Sequence, residues 1–405
     1  MSLTINYPDQ VKVAFDVLES CGFEVFIVGG CLRNILMGKA PHDWDMTTSA
    51  LPEETAEAFR SLGHKVIETG IKHGTVTVII DETPLEITTF RIDGSYSDSR
   101  HPDKVSFTRS LSEDLVRRDF TANAMAYSEK KGLIDLFDGI SDLKAGVLRA
   151  VGDPEKRFSE DALRILRAFR FSSEHGFVIE EKTKEAASKL RTGLVNVSKE
   201  RICSELYRIL LGDNASLALK ELMDCEIMPY IFEGYDNSFA PKVDFVNLLP
   251  KEIPPRLGAV LFNLPRDKAE NALHILKMGN RDKSNTKAVL EAADVLKHSP
   301  PKSIVEARRF VRRFGKNLYG TLDLAKGVSG NISLSEELIL KANGESFPKN
   351  FGELAVDGND MIALGASGKE TGEVLSFLLE RTTDDPSLNC KDTLCRLAEE
   401  FIRKK

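Results

Sequence analysis

Two carboxylates two residues apart, Asp43 and Asp45, follow a Gly29-Gly30 pair in the run IVGGCLRNILMGKAPHDWDMT at residues 27–47. In an extended segment side chains alternate faces, so the two acids project to one side and Trp44 to the other. Two hard oxygen donors on one face suit a divalent cation such as Mg2+. Glycines at a strand-to-helix turn let the backbone approach a phosphate chain, and the N-terminus of the helix behind them favours its charge. Each half has an ordinary alternative, a tight connection for the glycines and a solvated or capping pair for the acids. In this order, the two halves together point to phosphate and metal. The G-x-G-x-x-G spacing of a dinucleotide site is absent.

Three further segments carry the same kind of chemistry. In PLEITTFR, Glu86 alternates with Leu85 and Ile87, a strand pattern that either brings a third carboxylate alongside Asp43 and Asp45 or leaves a charge on an edge. DLVRRDFTANAMAY has helical apolar spacing and carries Arg117, Arg118, Asp119 and Asn123. Adjacent guanidinium forks suit a triphosphate, and a surface ion-pair face is the plain alternative. RFSEDALRILRAFRF predicts a helix with Leu163, Leu166 and Phe169 buried and with Glu160, Asp161, Arg164, Arg167 and Arg170 along it. Asp161 and Arg164 are three apart and therefore neighbours on one helix face. Cytosine and adenine each present an amino donor beside a ring-nitrogen acceptor, which a carboxylate and a guanidinium can read, whereas uracil and guanine present the reverse. The plain alternative for this pair is a helix ion pair.

These residues need elements to position them. Mixed strand and helix signals occupy about residues 20–145, and the apolar spacing beyond is helical. At 405 residues the chain is long for one core, so two to four domains are expected, with breaks at Pro250–Pro255 and Pro300-Pro301. No stretch approaches the roughly 20 apolar residues of a membrane span, and MSLTINYPDQ has neither a basic region nor a cleavable apolar segment, so a cytoplasmic location is expected. The six cysteines lack C-x-x-C spacing and indicate neither zinc nor a disulfide framework. A net charge of -7 runs against a nucleic-acid partner unless basic residues cluster locally. One such cluster is SIVEARRFVRRFGKNLYG, where Arg308 with Arg312 and Arg309 with Arg313 stack at i, i+4 and Lys316 extends the run. It reads either as a solvated helix face or as a contact for an RNA backbone.

The segments GGCLRN with HDWDM, FRIDGSYSDSRHPDKVSF, DLVRRDFTANAMA, DLFDGISDL, RFSEDALRILRAFRF and ERICSELYRIL resemble, in order and spacing, the motif series of class II tRNA nucleotidyltransferases, the bacterial CCA-adding enzymes and their poly(A) polymerase relatives. The match is strong over roughly the first 210 residues, and AVDGNDMIALGASGKETGEVLSFLLERT is similar to the family's tail. The resemblance implies an α+β protein. A polymerase-beta-like head with a mixed sheet (1–145) would be followed by a helical neck that recognises the base (146–212), a helical body (213–300) and a helical tail that binds tRNA (301–405). It implies two Mg2+ ions on Asp43 and Asp45, with Glu86 beside them. One ion would activate the tRNA 3′-hydroxyl against the α-phosphate of CTP or ATP, and the other would stabilise pyrophosphate. Gly29, Gly30 and Arg33 would lie near the phosphates, and Arg117, Asp119, Asn123, Asp161, Arg164, Arg167 and Arg170 around the nucleotide.

Two positions depart from the family pattern. Asn34 stands where an acid is usual, which puts the orientation of Arg33 in question, and Trp44 separates the two acids. The Gly-, Ser- and Asp-rich loop from Arg91 to Phe107 is of the kind that helps the family switch from C to A, against a CC-only enzyme. An A-adding enzyme or a poly(A) polymerase shares most of these motifs. A catalytically silent RNA-binding protein would have no need of the acid pair. His175, His274 and His298 are not followed by Asp, which argues against an added phosphohydrolase. The partners expected are the tRNA 3′ end with CTP and ATP, with no membrane and no protein partner.

Overall fold

The computed structural model describes residues 5–41, 43–94, 105–236, 239 and 241–404. The chain divides into two compact units, residues 1–238 with 275–277, and residues 239–274 with 278–405.

The first unit runs α1 (Asp9–Ser20), β1 (Val25–Val28), α2 (Gly29–Leu36), β2 (Asp45–Thr48), α3 (Pro52–Arg60), β3 (Lys65–Ile67), β4 (Thr75–Ile80), β5 (Thr83–Thr89), β6 (Arg91–Asp93), β7 (Val105–Phe107) and α4 (Leu111–Val116). It continues through β8 (Met125–Ser128), β9 (Gly132–Asp135), α5 (Gly139–Ala145), β10 (Val147–Leu148), α6 (Pro154–Glu160), α7 (Leu163–His175), β11 (Val178–Ile179), α8 (Glu181–Lys189), α9 (Lys199–Leu211), α10 (Ala215–Asp224) and α11 (Met228–Ile231). Seven strands form one mixed sheet in the order β3-β4-β5-β2-β1-β8-β9, with β2 and β5 parallel and the other neighbours antiparallel.

Burial explains the strand patterns. β1 reads Val-Phe-Ile-Val without alternation because both its faces are covered. Val25 and Ile27 join Met46, Val76, Val78, Ile80, Leu85 and Ile87 against Phe15 and Leu18 of α1 and Phe59 of α3. On the other face Phe26 and Val28 pack with Phe90, Leu115 and Ala126. β4 and β5 alternate, with Leu85 and Ile87 turned to the first core and Glu86 and Thr88 to the opposite side. Trp44 packs against the first core beside Tyr7, so it lies away from Asp45 as strand alternation requires.

Three sequence expectations change. The helical spacing read over residues 114–127 holds only as far as Val116, where α4 ends, and the segment finishes in β8. Between them the chain extends at Phe120 and makes a short 3-10 turn at Thr121–Asn123. Arg157 donates to the Val116 carbonyl and Arg164 to that of Arg117, taking acceptors that a continuing helix would use. The single helix expected from RFSEDALRILRAFRF is two, α6 and α7, broken where Asp161 turns extended and its Oδ1 accepts from the Leu163 amide. The ends of the loop from Arg91 to Phe107 form a two-stranded antiparallel ladder, and residues 95–104 at its centre lie outside the described residues.

The second unit is helical throughout its described residues, apart from short 3-10 turns and connections. It contains α12 (Ile253–Leu261), α13 (Arg266–Ile275), α14 (Asn280–His298), α15 (Ile304–Phe314), α16 (Leu318–Ser329), α17 (Ser333–Gly344), α18 (Gly358–Ala363), α19 (Lys369–Asp384) and α20 (Lys391–Arg403). Met361, Val374, Leu378, Leu394 and Ala398 make a small core beneath α18, α19 and α20. No helix among the described residues is long and apolar enough to cross a membrane.

Candidate active site

Strand register brings the first acids together. Asp45 opens β2 and is the direct partner of Glu86 across the parallel β2–β5 pair, so the two carboxylates lie side by side on the face away from the first core. Asp43 precedes the strand and is exposed. The Asp45 carboxyl is raised above its ordinary value by desolvation. Arg118 opposes that shift, while Glu86 and Asp43 add to it. Mutually repelling acids of this kind are the donor set a divalent cation satisfies. Among the described residues no third His, Cys, Asp or Glu closes a complete protein cage, so remaining ligands would come from water or substrate oxygens, as is usual for Mg2+.

Gly29 opens α2 at φ +72°, and a Cβ there would stand 3.3 Å from Arg118 Nη1 and 3.4 Å from Asp45 Oδ2. The positive φ and this close approach are why glycine is needed at this position. No side chain caps α2, which leaves its first-turn amides for an anion.

Arg33 projects from α2 and is buried, donating through Nη1 to Asn123 Oδ1 at 2.6 Å and through Nη2 to Asn34 Oδ1 at 3.0 Å. Asn34 therefore orients Arg33 without the charge of an acid. Asp119 is buried beneath them. It accepts Arg167 Nε at 2.8 Å and Nη2 at 2.6 Å on one oxygen, and Asn123 Nδ2 at 3.0 Å and its neighbour's amide at 2.8 Å on the other. Burial alone would raise this carboxyl. The Arg167 charge and the bonds from Asn123 and Arg167 outweigh it and hold the group far below the usual carboxylate range.

These side chains line three adjoining cavities. Asp45, Glu86, Thr75, Thr88, Arg91, Arg117 and Arg118 bound one of about 240 Å³. Arg117, Arg118, Asp119, Asp161, Arg164, Arg167 and Arg201 bound a second of about 260 Å³. The third, about 290 Å³, is lined by Gly29, Gly30, Arg33, Asp45, Arg118, Asp119, Asn123, Arg167, Arg170, Phe171 and Arg208. Asp45, Arg117, Arg118, Asp119 and Arg167 are each shared by at least two of them, so acids and arginines border one continuous cleft.

Asp161 and Arg164 both line the second cavity but do not pair as helix neighbours. Asp161 Oδ2 accepts from Arg201 Nη2 at 2.8 Å, and Arg164 Nη1 donates to Glu160 at 2.8 Å. The break after Glu160 separates them. Arg170 sits deeper, against Glu205 at 3.3 Å and Glu174 at 3.7 Å.

Sequence reasoning passed over several contributors. Asp114 is fully buried and holds Arg117 at 2.7 Å and Arg118 at 3.3 Å, with burial opposed by those two charges to leave its carboxyl lowered. Its i, i+3 and i, i+4 spacing to the two arginines was the available signal. Arg201, Glu205 and Arg208 left no local signal, since their partners lie 34 to 40 residues away, while Arg157 and Phe171 combine neighbours within four residues with distant contacts to the Val116 carbonyl and to Arg33.

The tail arginines are set differently. In α15, Arg308 pairs with Glu345 and donates to the Asp384 carbonyl, and Arg312 donates to the Leu379 carbonyl and Thr383 Oγ1. Arg308 thus caps the C-terminal end of α19, and Arg312 ties α15 to its last two turns. Arg309 grips Asp384 and Arg313 meets Glu291, with 47% and 66% of their side chains exposed. Lys316 is exposed in the turn after α15.

Residues 25–149 match the Poly A polymerase head domain, and residues 176–239 match the probable RNA and SrmB-binding site of polymerase A. The chain is 39% identical to the CCA-adding enzyme of Lactobacillus delbrueckii subsp. bulgaricus over 92% of both chains. It is 36% identical to that of Ligilactobacillus salivarius over 99% of both. Among solved structures, the Bacillus stearothermophilus CCA-adding enzyme in complex with CTP superposes with a TM-score of 0.80 at 28% identity, covering 98% of each chain. With an acid-and-arginine cleft in its first unit and such relatives along nearly its whole length, the chain belongs to the family of CCA-adding enzymes, which are nucleotidyltransferases.

Proposed function

We propose that this chain adds C, C and A in turn to the 3′ end of tRNA, consuming CTP and ATP and releasing pyrophosphate without a nucleic-acid template. The observation that carries the reading is the single cleft in which the Asp45–Glu86 strand pair, the Gly29 turn and the arginine wall meet. Acids at one end suit metal, and guanidiniums at the other suit a triphosphate.

The residues divide the work by chemistry. Asp43 and Asp45 would hold two Mg2+ ions, with Glu86 adding negative charge beside them. When bound, such ions supply charge neutralisation for the attacking 3′-oxygen and for the departing pyrophosphate. Gly29 and Gly30 present backbone to the phosphates, while Arg33, Arg117, Arg118, Arg167 and Arg170 provide donors around them. Asp119 and Asn123 hold Arg167 and Arg33 in place. Such preorganised donors cost no rearrangement at the moment of transfer. Asp161 and Arg164 are read as the base-selecting pair, accepting from the exocyclic amino group and donating to the ring nitrogen. Lining a common cavity supports that reading, and their present bonds to Arg201 and Glu160 mark the contacts that the base would replace or share. Arg309, Arg313 and Lys316 are read as backbone contacts for tRNA. Arg308 and Arg312 are read as structural.

The test is addition to three tRNA transcripts, ending before CCA, after C and after CC, with Mg2+ and each of the four nucleotides in turn. C on the first two and A on the third is the expected result. Activity only on the CC-ending transcript with ATP would make it an A-adding enzyme, and no incorporation on any would overturn the reading.

A further inference from the structure

Phe171 lies on α7 at the wall of the third cavity, and three guanidiniums surround its ring. The centroid is 4.3 Å from the Cζ of Arg170, 4.9 Å from that of Arg33 and 5.5 Å from that of Arg167. All are within the range at which a cation is drawn to an aromatic face. The ring is buried, fixed edge-on by Phe120 at 5.6 Å and stacked by His175 at 5.9 Å.

The charges of these arginines are unevenly balanced. Arg167 has Asp119 and Arg170 has Glu205. Arg33 is buried and bonded only to the neutral amides of Asn123 and Asn34, and among the described residues it makes no ion pair. Its Nε has no acceptor in the described structure. A carboxylate against Arg33 would satisfy the guanidinium and compete with an incoming phosphate. A π face attracts the cation through its flat side and takes none of the N–H donors that lie in the guanidinium plane. His175, beside the ring, is pushed down to about 3 by burial and by the charges of Arg33, Lys39, Arg170 and Arg208, so it adds no further cation near neutral pH.

We propose that Phe171 is a positioning residue for nucleotide binding, an aromatic platform that gathers Arg33, Arg167 and Arg170 at the cavity while taking none of the donors that Asn123, Asn34, Asp119 and Glu205 leave to the triphosphate. The proposal rests on the nucleotide reading given above, and it concerns how the arginines are held rather than which ligand they meet.

The test is replacement of Phe171 by 4-fluoro-, 3,5-difluoro- and 3,4,5-trifluorophenylalanine in the full chain, a series that nearly preserves shape while weakening the face charge stepwise. Phe171→Leu serves as the end point. The KM for both CTP and ATP is expected to climb with each fluorine, reaching about tenfold at the end of the series, with kcat within about twofold and an unchanged Tm across the fluorinated proteins. A KM flat within about twofold across the series would overturn the platform, as would a loss confined to kcat. A purely structural role would move Tm in Phe171→Leu without moving KM along the fluorinated series. Inorganic tripolyphosphate titrated into the same proteins separates this proposal from the functional one. If the native chain adds no nucleotide, stepwise weakening of tripolyphosphate still supports the platform, and constant affinity refutes it.

Discussion

Replacing Asp119 by Asn tests the central electrostatic joint of the site with almost no change in volume. The carboxylate accepts four hydrogen bonds, two of them from Arg167 at 2.8 and 2.6 Å. An asparagine amide cannot reproduce this in either orientation. With its nitrogen toward Arg167, donors face donors; with the nitrogen turned away, the same conflict falls on Asn123 and the Phe120 amide. Breaking a buried ion pair costs roughly 3–5 kcal/mol. Arg167 keeps 32% of its side chain exposed, so water recovers part of that cost and about 2–3 kcal/mol is the expected destabilisation. For a unit of this size that is a fall in Tm of about 5–10 °C. Differential scanning calorimetry of both proteins against pH is the assay. Asp119 is depressed in the folded state, so its contribution is present above the ordinary value of 3.8 and is lost as pH falls through the lower folded value. The gap between native and Asp119→Asn should therefore be full at neutral pH and narrow on acidification below that ordinary value. A Tm difference under about 2 °C at neutral pH, or a gap that widens in acid, would refute the reasoning.

Gly29→Ala should lower addition by up to about 100-fold, because its Cβ forces a few tenths of an ångström on Arg118 and Asp45 and the backbone sits at positive φ; steady-state kinetics of CTP addition check this. Asp161→Ala should admit UTP or GTP more than it lowers Tm, and unchanged selectivity among the four nucleotides would remove it from base choice. Arg313→Glu should raise the KM for tRNA and leave that for free nucleotide alone. Arg312→Leu should instead cost about 1–3 kcal/mol of stability through its lost bonds to the Leu379 carbonyl and Thr383 Oγ1 of α19, with the tRNA KM unchanged.

Much of the site was legible because its residues sit in local patterns. Period-two alternation placed Glu86 opposite the side of Leu85 and Ile87, and the sheet register set it beside Asp45. The Gly29 turn and the acids at and just before the start of β2 are close enough in sequence to be read as a unit. The helical period was over-read. Asp161 and Arg164 have helical spacing, but Asp161 turns extended and ends α6 while its side chain accepts from the Leu163 amide, a choice of backbone that spacing alone does not encode. Contacts such as Arg201 to Asp161 and Arg170 to Glu205 span 40 and 35 residues, and no local pattern reports them. The α15 arginines looked like an exposed basic stripe for the same reason, since Glu345 and the end of α19 that engage Arg308 and Arg312 lie 37 to 76 residues away.

The most direct test of the account is single-turnover addition of AMP to a CC-ending tRNA by Asp45→Ala, with tRNA binding measured on the same preparation. No incorporation above background with tRNA binding retained is the expected result, because the strand acid that faces Glu86 and Arg118 is gone. Incorporation within about tenfold of the native rate would contradict it, since loss of a group that neutralises transition-state charge costs at least about 100-fold.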